Sequence, residues 1–146
     1  GTVAPRNDNG MRMISHHAAL IYTMVLVSAA DRNMTDAELR QIGEIITGLP
    51  IFRDYNNENL SATTASCAEL LDDENGLDKA LEIIGAALPE RLWETAYALA
   101  CDVAAADGRI AVEESRMLEL IRDRLNIDSL VAAAIERGAR ARFATL

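Results

Sequence analysis

Apolar residues recur at intervals of three and four through most of the chain, the spacing of helices with one buried face. The first such run covers about 13–30, with Leu20, Ile21, Met24 and Val27 as its apolar stripe. Residues 31–34 turn the chain. Thr35 opens a second helix that reaches about Gly48 and points Leu39, Ile42, Ile45 and Ile46 inward. Thr35 and Glu38 form a T-x-x-E capping box, and Gly48 with Pro50 ends the helix. The Asn-rich stretch 50–59 is irregular, with Phe52 and Tyr55 as anchors. Weaker helices follow at about 61–71 and 77–88, split by the polar run from Asp72 to Gly76. Pro89 fits the first turn of a helix that runs to Ala106, with Leu92, Ala96, Leu99 and Val103 inward. The next helix, about 112–125, buries Met117, Leu118, Ile121 and Leu125. A last helix spans about 129–140, with Asp128 as its cap and Arg137, Arg140 and Arg142 at its basic end. The pattern predicts an all-α fold of about seven helices with no strand.

Part of this pattern occurs twice. Ala29-Ala30-Asp31, a turn, then Glu38 recurs as Ala105-Ala106-Asp107, a turn, then Glu114. The offset is 76 positions, since 107 − 31 and 114 − 38 both give 76. At that offset 24–49 lies over 100–125, with identical pairs such as Val27/Val103, Arg40/Arg116, Ile45/Ile121 and Leu49/Leu125. Self-similarity at a fixed offset marks a duplicated supersecondary unit. The organisation that follows is a flexible arm at 1–10 and one compact domain at 11–146. Its repeat halves are about 13–49 and 89–125.

Composition narrows the class. The chain has 146 residues, 50% of them apolar, enough for one domain with a real core. Abundant alanine and few aromatics favour close-packed helices over sheets. A net charge of −9 argues against nucleic acid or an anionic membrane surface as partner and fits a cation or a basic protein. Cys67 and Cys101 lack metal-ligand spacing and read as reduced core residues of a cytosolic protein. No apolar run reaches the length of a membrane span, so direct membrane insertion is not expected. The amino terminus lacks a signal-peptide pattern.

The repeated acids are the chief candidate chemistry. At about 100° per residue, Asp31 falls near the direction of Leu20, Met24 and Val27, and Asp107 beside Ala96 and Ala100. Glu38 falls near Ile45 and Leu49, and Glu114 between Leu118 and Ile121. All four are expected on the inner sides of their helices, where a carboxylate costs free energy unless compensated. Each aspartate also sits at a helix carboxyl end, which disfavours negative charge. Each turn brings an aspartate and a glutamate together, and such a pair could hold a hard divalent cation through oxygen. An ordinary turn is the competing reading, because Asp in these turns commonly bonds its own backbone. Glu38 is explained as a capping-box partner, whereas Glu114 is not, because Ala111 stands where the first copy has Thr35. The spacing is too sparse for an EF-hand loop.

Other residues offer less. His16 and His17 lie about 20 Å from Asp31 along the first helix and read as surface or cap residues. Asp102 reads as a boundary residue, Asp72-Asp73-Glu74 as a solvated loop, and Trp93 with Tyr97 as packing. No catalytic nucleophile with a base, phosphate loop or zinc spacing is present, so no enzymatic activity is expected.

The helix ending Ala-Ala-Asp-Gly-Arg-Ile at 105–110, followed by Glu114 and an apolar helix, resembles the bacterial tellurite-resistance TerB family and its wider TerB-like domains. The resemblance covers about 13–126 and takes in both copies of the motif. It implies an all-helical domain with an internal repeat, a cytoplasmic role in tellurite or broader stress response, and work with membrane-linked partners. It also implies a divalent cation, calcium ahead of magnesium or manganese, with Asp31, Glu38, Asp107 and Glu114 as ligands. The first copy departs from the motif, carrying Arg32-Asn33 where the second has Gly108-Arg109. The leading expectation is therefore a non-enzymatic, divalent-cation-binding helical module. The alternative is a metal-free scaffold or protein-interaction module.

Overall fold

The computed structural model describes residues 13–31, 33–106 and 108–146. Seven α-helices appear among them: α1 (His16–Ser28), α2 (Asp36–Thr47), α3 (Leu60–Leu71), α4 (Gly76–Ala87), α5 (Trp93–Ala105), α6 (Val112–Arg124) and α7 (Ser129–Arg142). Short 3-10 turns occur at Pro50–Phe52, Asn57–Asn59 and Glu90–Leu92, and no described residue lies in a strand. The 1–10 arm lies outside the described residues.

The helix boundaries follow local chemistry. Ser15 caps α1 by accepting the Ala18 N–H. Thr35 and Glu38 close the expected capping box on α2. Asp128 caps α7 by accepting from the N–H groups of Leu130 and Val131. Pro89 differs from expectation. It precedes the Glu90–Leu92 turn, and the α-helix begins only at Trp93, whose indole N–H donates to Leu88 O at 3.1 Å.

α1 is the centre of the molecule. Every residue from Ala19 to Ser28 is buried, so the helix has no solvent face and the one-sided stripe read from the sequence is too narrow. It packs most extensively on α5, and also on α3, α4 and α6. α5 in turn packs on α6 and α7. Alanines at 19, 96, 100 and 104 are fully buried, and their small side chains let the helices approach closely.

The sequence repeat is also a structural one. α2 begins at 36 and α6 at 112, an offset of 76. α1 ends at Ser28 and α5 at Ala105, within one residue of the same offset. Ile42 and its equivalent Leu118 are both buried, as are Val27 and Val103.

Candidate functional site: the two hairpin turns

In the first hairpin, Glu38 is the hub. Its Oε1 accepts from Thr35 N–H at 3.1 Å and Thr35 Oγ1 at 2.9 Å. Its Oε2 accepts from Ser28 Oγ at 2.8 Å. Ser28 is buried in the last turn of α1, so the carboxylate ties the end of one helix to the start of the next. The sequence signal for this bond is a serine at the end of the apolar run 24–27, where the second copy has Ala104. Helical phase alone does not reveal it, because the bond crosses from one helix to the next.

Asp31 does not sit on the inner side as expected. α1 stops at Ser28, so the helical phase no longer applies three residues later, and Asp31 is exposed. Asp107, its equivalent, lies outside the described residues.

Glu114 is buried, with 8% of its surface exposed, as the helical phase predicts. Its Oε1 accepts the Ala111 N–H at 3.1 Å. This corrects the expectation that Glu114 lacks a capping role. Ala111 cannot return a bond to the α6 amides, because it has no side-chain acceptor, so the second hairpin keeps half of the box. The half that survives is the half that uses the glutamate.

A cation needs several converging oxygens, and among the described residues no group of three or more His, Cys, Asp or Glu could hold one. In the first hairpin both Glu38 oxygens face protein donors and Asp31 is turned to solvent, a donor set that does not fit a metal.

Three other expectations meet the structure here. His17 is neither a surface nor a capping residue. Its Nε2 lies 2.7 Å from Ile51 O, and because a carbonyl only accepts, Nε2 carries the proton. Its ring packs against Phe52 and Tyr55, each at 5.1 Å, and so holds the 50–55 segment onto the start of α1. Asp102 is half-buried and paired with Arg142 of α7. Both cysteines are buried and free, as expected. Burial pushes each thiol up to about 12, which leaves neither as a nucleophile near neutral pH.

Residues the sequence did not bring together line a cleft of about 250 Å³ between α5, α6 and α7. Buried Cys101, Ala105, Leu118 and Ala139 form its floor. The Tyr97 hydroxyl donates to Glu136 Oε2 at 2.6 Å, and Arg122 and Arg140 also line the opening.

A family model for the tellurite resistance protein TerB matches residues 17–137, which includes both hairpins. No curated protein and no solved structure matches significantly.

Proposed function

The chain belongs to the tellurite resistance protein TerB family, and on that premise we propose a non-enzymatic helical module that binds a divalent cation at its second hairpin. Its setting would be bacterial tellurite resistance or general stress response. The observation that carries the cation reading is Glu114. Among the described residues it is the one buried charged side chain, and it follows Asp107 by seven positions in the repeated motif. Burying a carboxylate is unfavourable, and a bound cation would offset that cost. Asp107 and Glu114 would hold the ion, and their oxygens suit a hard one. Calcium is preferred over magnesium or manganese, because an irregular turn does not supply rigid octahedral geometry. The first hairpin has no share in this proposal, since both Glu38 oxygens accept from Thr35 or Ser28 and Asp31 is exposed.

The two buried thiols, both raised to about 12, support a non-enzymatic role. A cytoplasmic site of action and membrane-linked partner proteins complete the proposal, as the family resemblance implies. No helix among the described residues is long and apolar enough to cross a membrane.

The test is calcium titration of the whole chain, followed by calorimetry and by melting temperature. Calcium at millimolar concentration raises the melting temperature of the parent and of Asp31→Asn, but not of Asp107→Asn with Glu114→Gln. No response to calcium, magnesium or manganese sinks the cation reading. The metal-free scaffold is then preferred, and the protein donors on both Glu38 oxygens already favour it for the first hairpin. That second reading predicts partner capture insensitive to chelator.

A further inference from the structure

The cleft between α5, α6 and α7 takes no part in either hairpin turn. An adjoining lobe of about 280 Å³ shares Ala105, Ile110 and Arg140 with it and continues to Phe143. Two lobes of this size reach the range of small-molecule sites, roughly 300–1,000 Å³. The floor is apolar, and Ile110 at its edge is 43% exposed, apolar surface that an occupant would cover.

The charges around this floor are unevenly satisfied. Arg142 on α7 is held by Asp102. Arg122 on α6 and Arg140 on α7 line the cleft, and neither forms an ion pair among the described residues. Of the acids at the opening, Glu136 is engaged by the Tyr97 hydroxyl and Glu119 is exposed. Among the described residues, the second lobe is lined by Arg140 and by no acid. Residues 109–146 carry seven Arg and six acids, a net +1, against seven cations and seventeen acids, a net −10, in 1–108.

A guanidinium matches the geometry of a carboxylate or phosphate with two parallel donors, and it is strongest beside surface that excludes water. We propose that this cleft binds a small organic anion. Its apolar body lies on Ala105, Ile110 and Leu118, and its oxyanion head meets Arg140, where the two lobes join, with Arg122 contributing from the α6 side. Cys101 serves as apolar floor and has no chemical step to perform.

Decanoate is the probe, with decyltrimethylammonium carrying a similar tail under the opposite charge and acetate carrying the charge without a tail. Amide NMR shifts of the full chain report where each binds. Decanoate is expected to move the signals of Cys101, Ala105 and Ala139, while acetate and the cation leave them in place. Arg122→Gln with Arg140→Gln weakens decanoate binding by at least about tenfold, which is about 1.4 kcal/mol. Ile110→Ser, an exposed-edge change that leaves the fold intact, weakens it as well. Equal binding of the cationic amphiphile, shifts scattered away from the cleft, or unchanged affinity in both variants overturns the proposal. So does binding to phosphatidylglycerol vesicles without binding to monomeric decanoate.

Discussion

Glu38 and Glu114 occupy equivalent positions yet bear different structural loads. Glu38 serves Thr35 twice and buried Ser28 once, whereas Glu114 takes the Ala111 N–H and faces no serine at 104. Removing Glu38 strands a buried hydroxyl and opens a capping box. Glu38→Ala should therefore lower stability by about 2–3 kcal/mol, read from urea unfolding. Ser28→Ala on that background should recover part of the loss, because it removes the stranded group. The second hairpin offers the reverse experiment. Ala111 has φ −68° and ψ 156°, close to Thr35 at −89° and 166°. Ala111→Thr thus completes the box, and a gain of roughly 0.5–1 kcal/mol in unfolding free energy is expected. A loss of stability would show that the half-box is not an unfinished copy of the whole one.

The joint between α3 and α4 brings backbone close to backbone at Gly76. Asn75 adopts a left-handed conformation with φ 60°, and Gly76 then enters α4. A Cβ at Gly76 would collide with the Leu70 carbonyl oxygen and the Leu71 backbone, which cannot move aside as a side chain would. Gly76→Ala should cost roughly 2–4 kcal/mol and lower the melting temperature in calorimetry, since the backbone of α3 must shift. Gly85, where a Cβ meets nothing within 4 Å, is the control at which alanine is tolerated or stabilising. The expected helices at 61–71 and 77–88 match α3 and α4 closely, because apolar spacing and the polar break between them are local signals. The stop of α1 at Ser28 was not legible, because Ala29 and Ala30 are good helix formers and nothing local ends the helix there.

At the scale of the whole molecule, α1 and α5 form a dry centre that holds both thiols. Cys67 lies against Tyr22 of α1, with Sγ 4.0 Å from its carbonyl oxygen, and Cys101 lies on α5 beside Tyr97. Burial raises both pKa values from 9.0 to about 12, so the folded chain keeps protons that the unfolded chain releases. The sign follows directly. This contribution to stability is fully present below about pH 9 and is lost as pH rises toward about 12. Unfolding free energy should fall across that window, and Cys67→Ala with Cys101→Ala should flatten the fall, each measured by denaturant melts. At neutral pH a disulfide-exchange reagent should find almost no reactive thiol until the chain unfolds; rapid labelling of the folded chain would contradict this burial.

The sequence by itself determined the class of fold, the seven helices, the repeat and the inward phase of Glu38 and Glu114. Each is written in spacing, caps and self-similarity, which act over a few residues or one fixed offset. The tertiary structure decided what those residues touch. Ser28 reaches Glu38 across a turn, His17 holds a segment 34 positions away, and Arg142 finds Asp102 40 positions away. It also turned Asp31 to solvent and gave Glu114 a backbone partner. Periodicity states which way a side chain leaves its own helix. Only the packing of one helix on another states what it meets there.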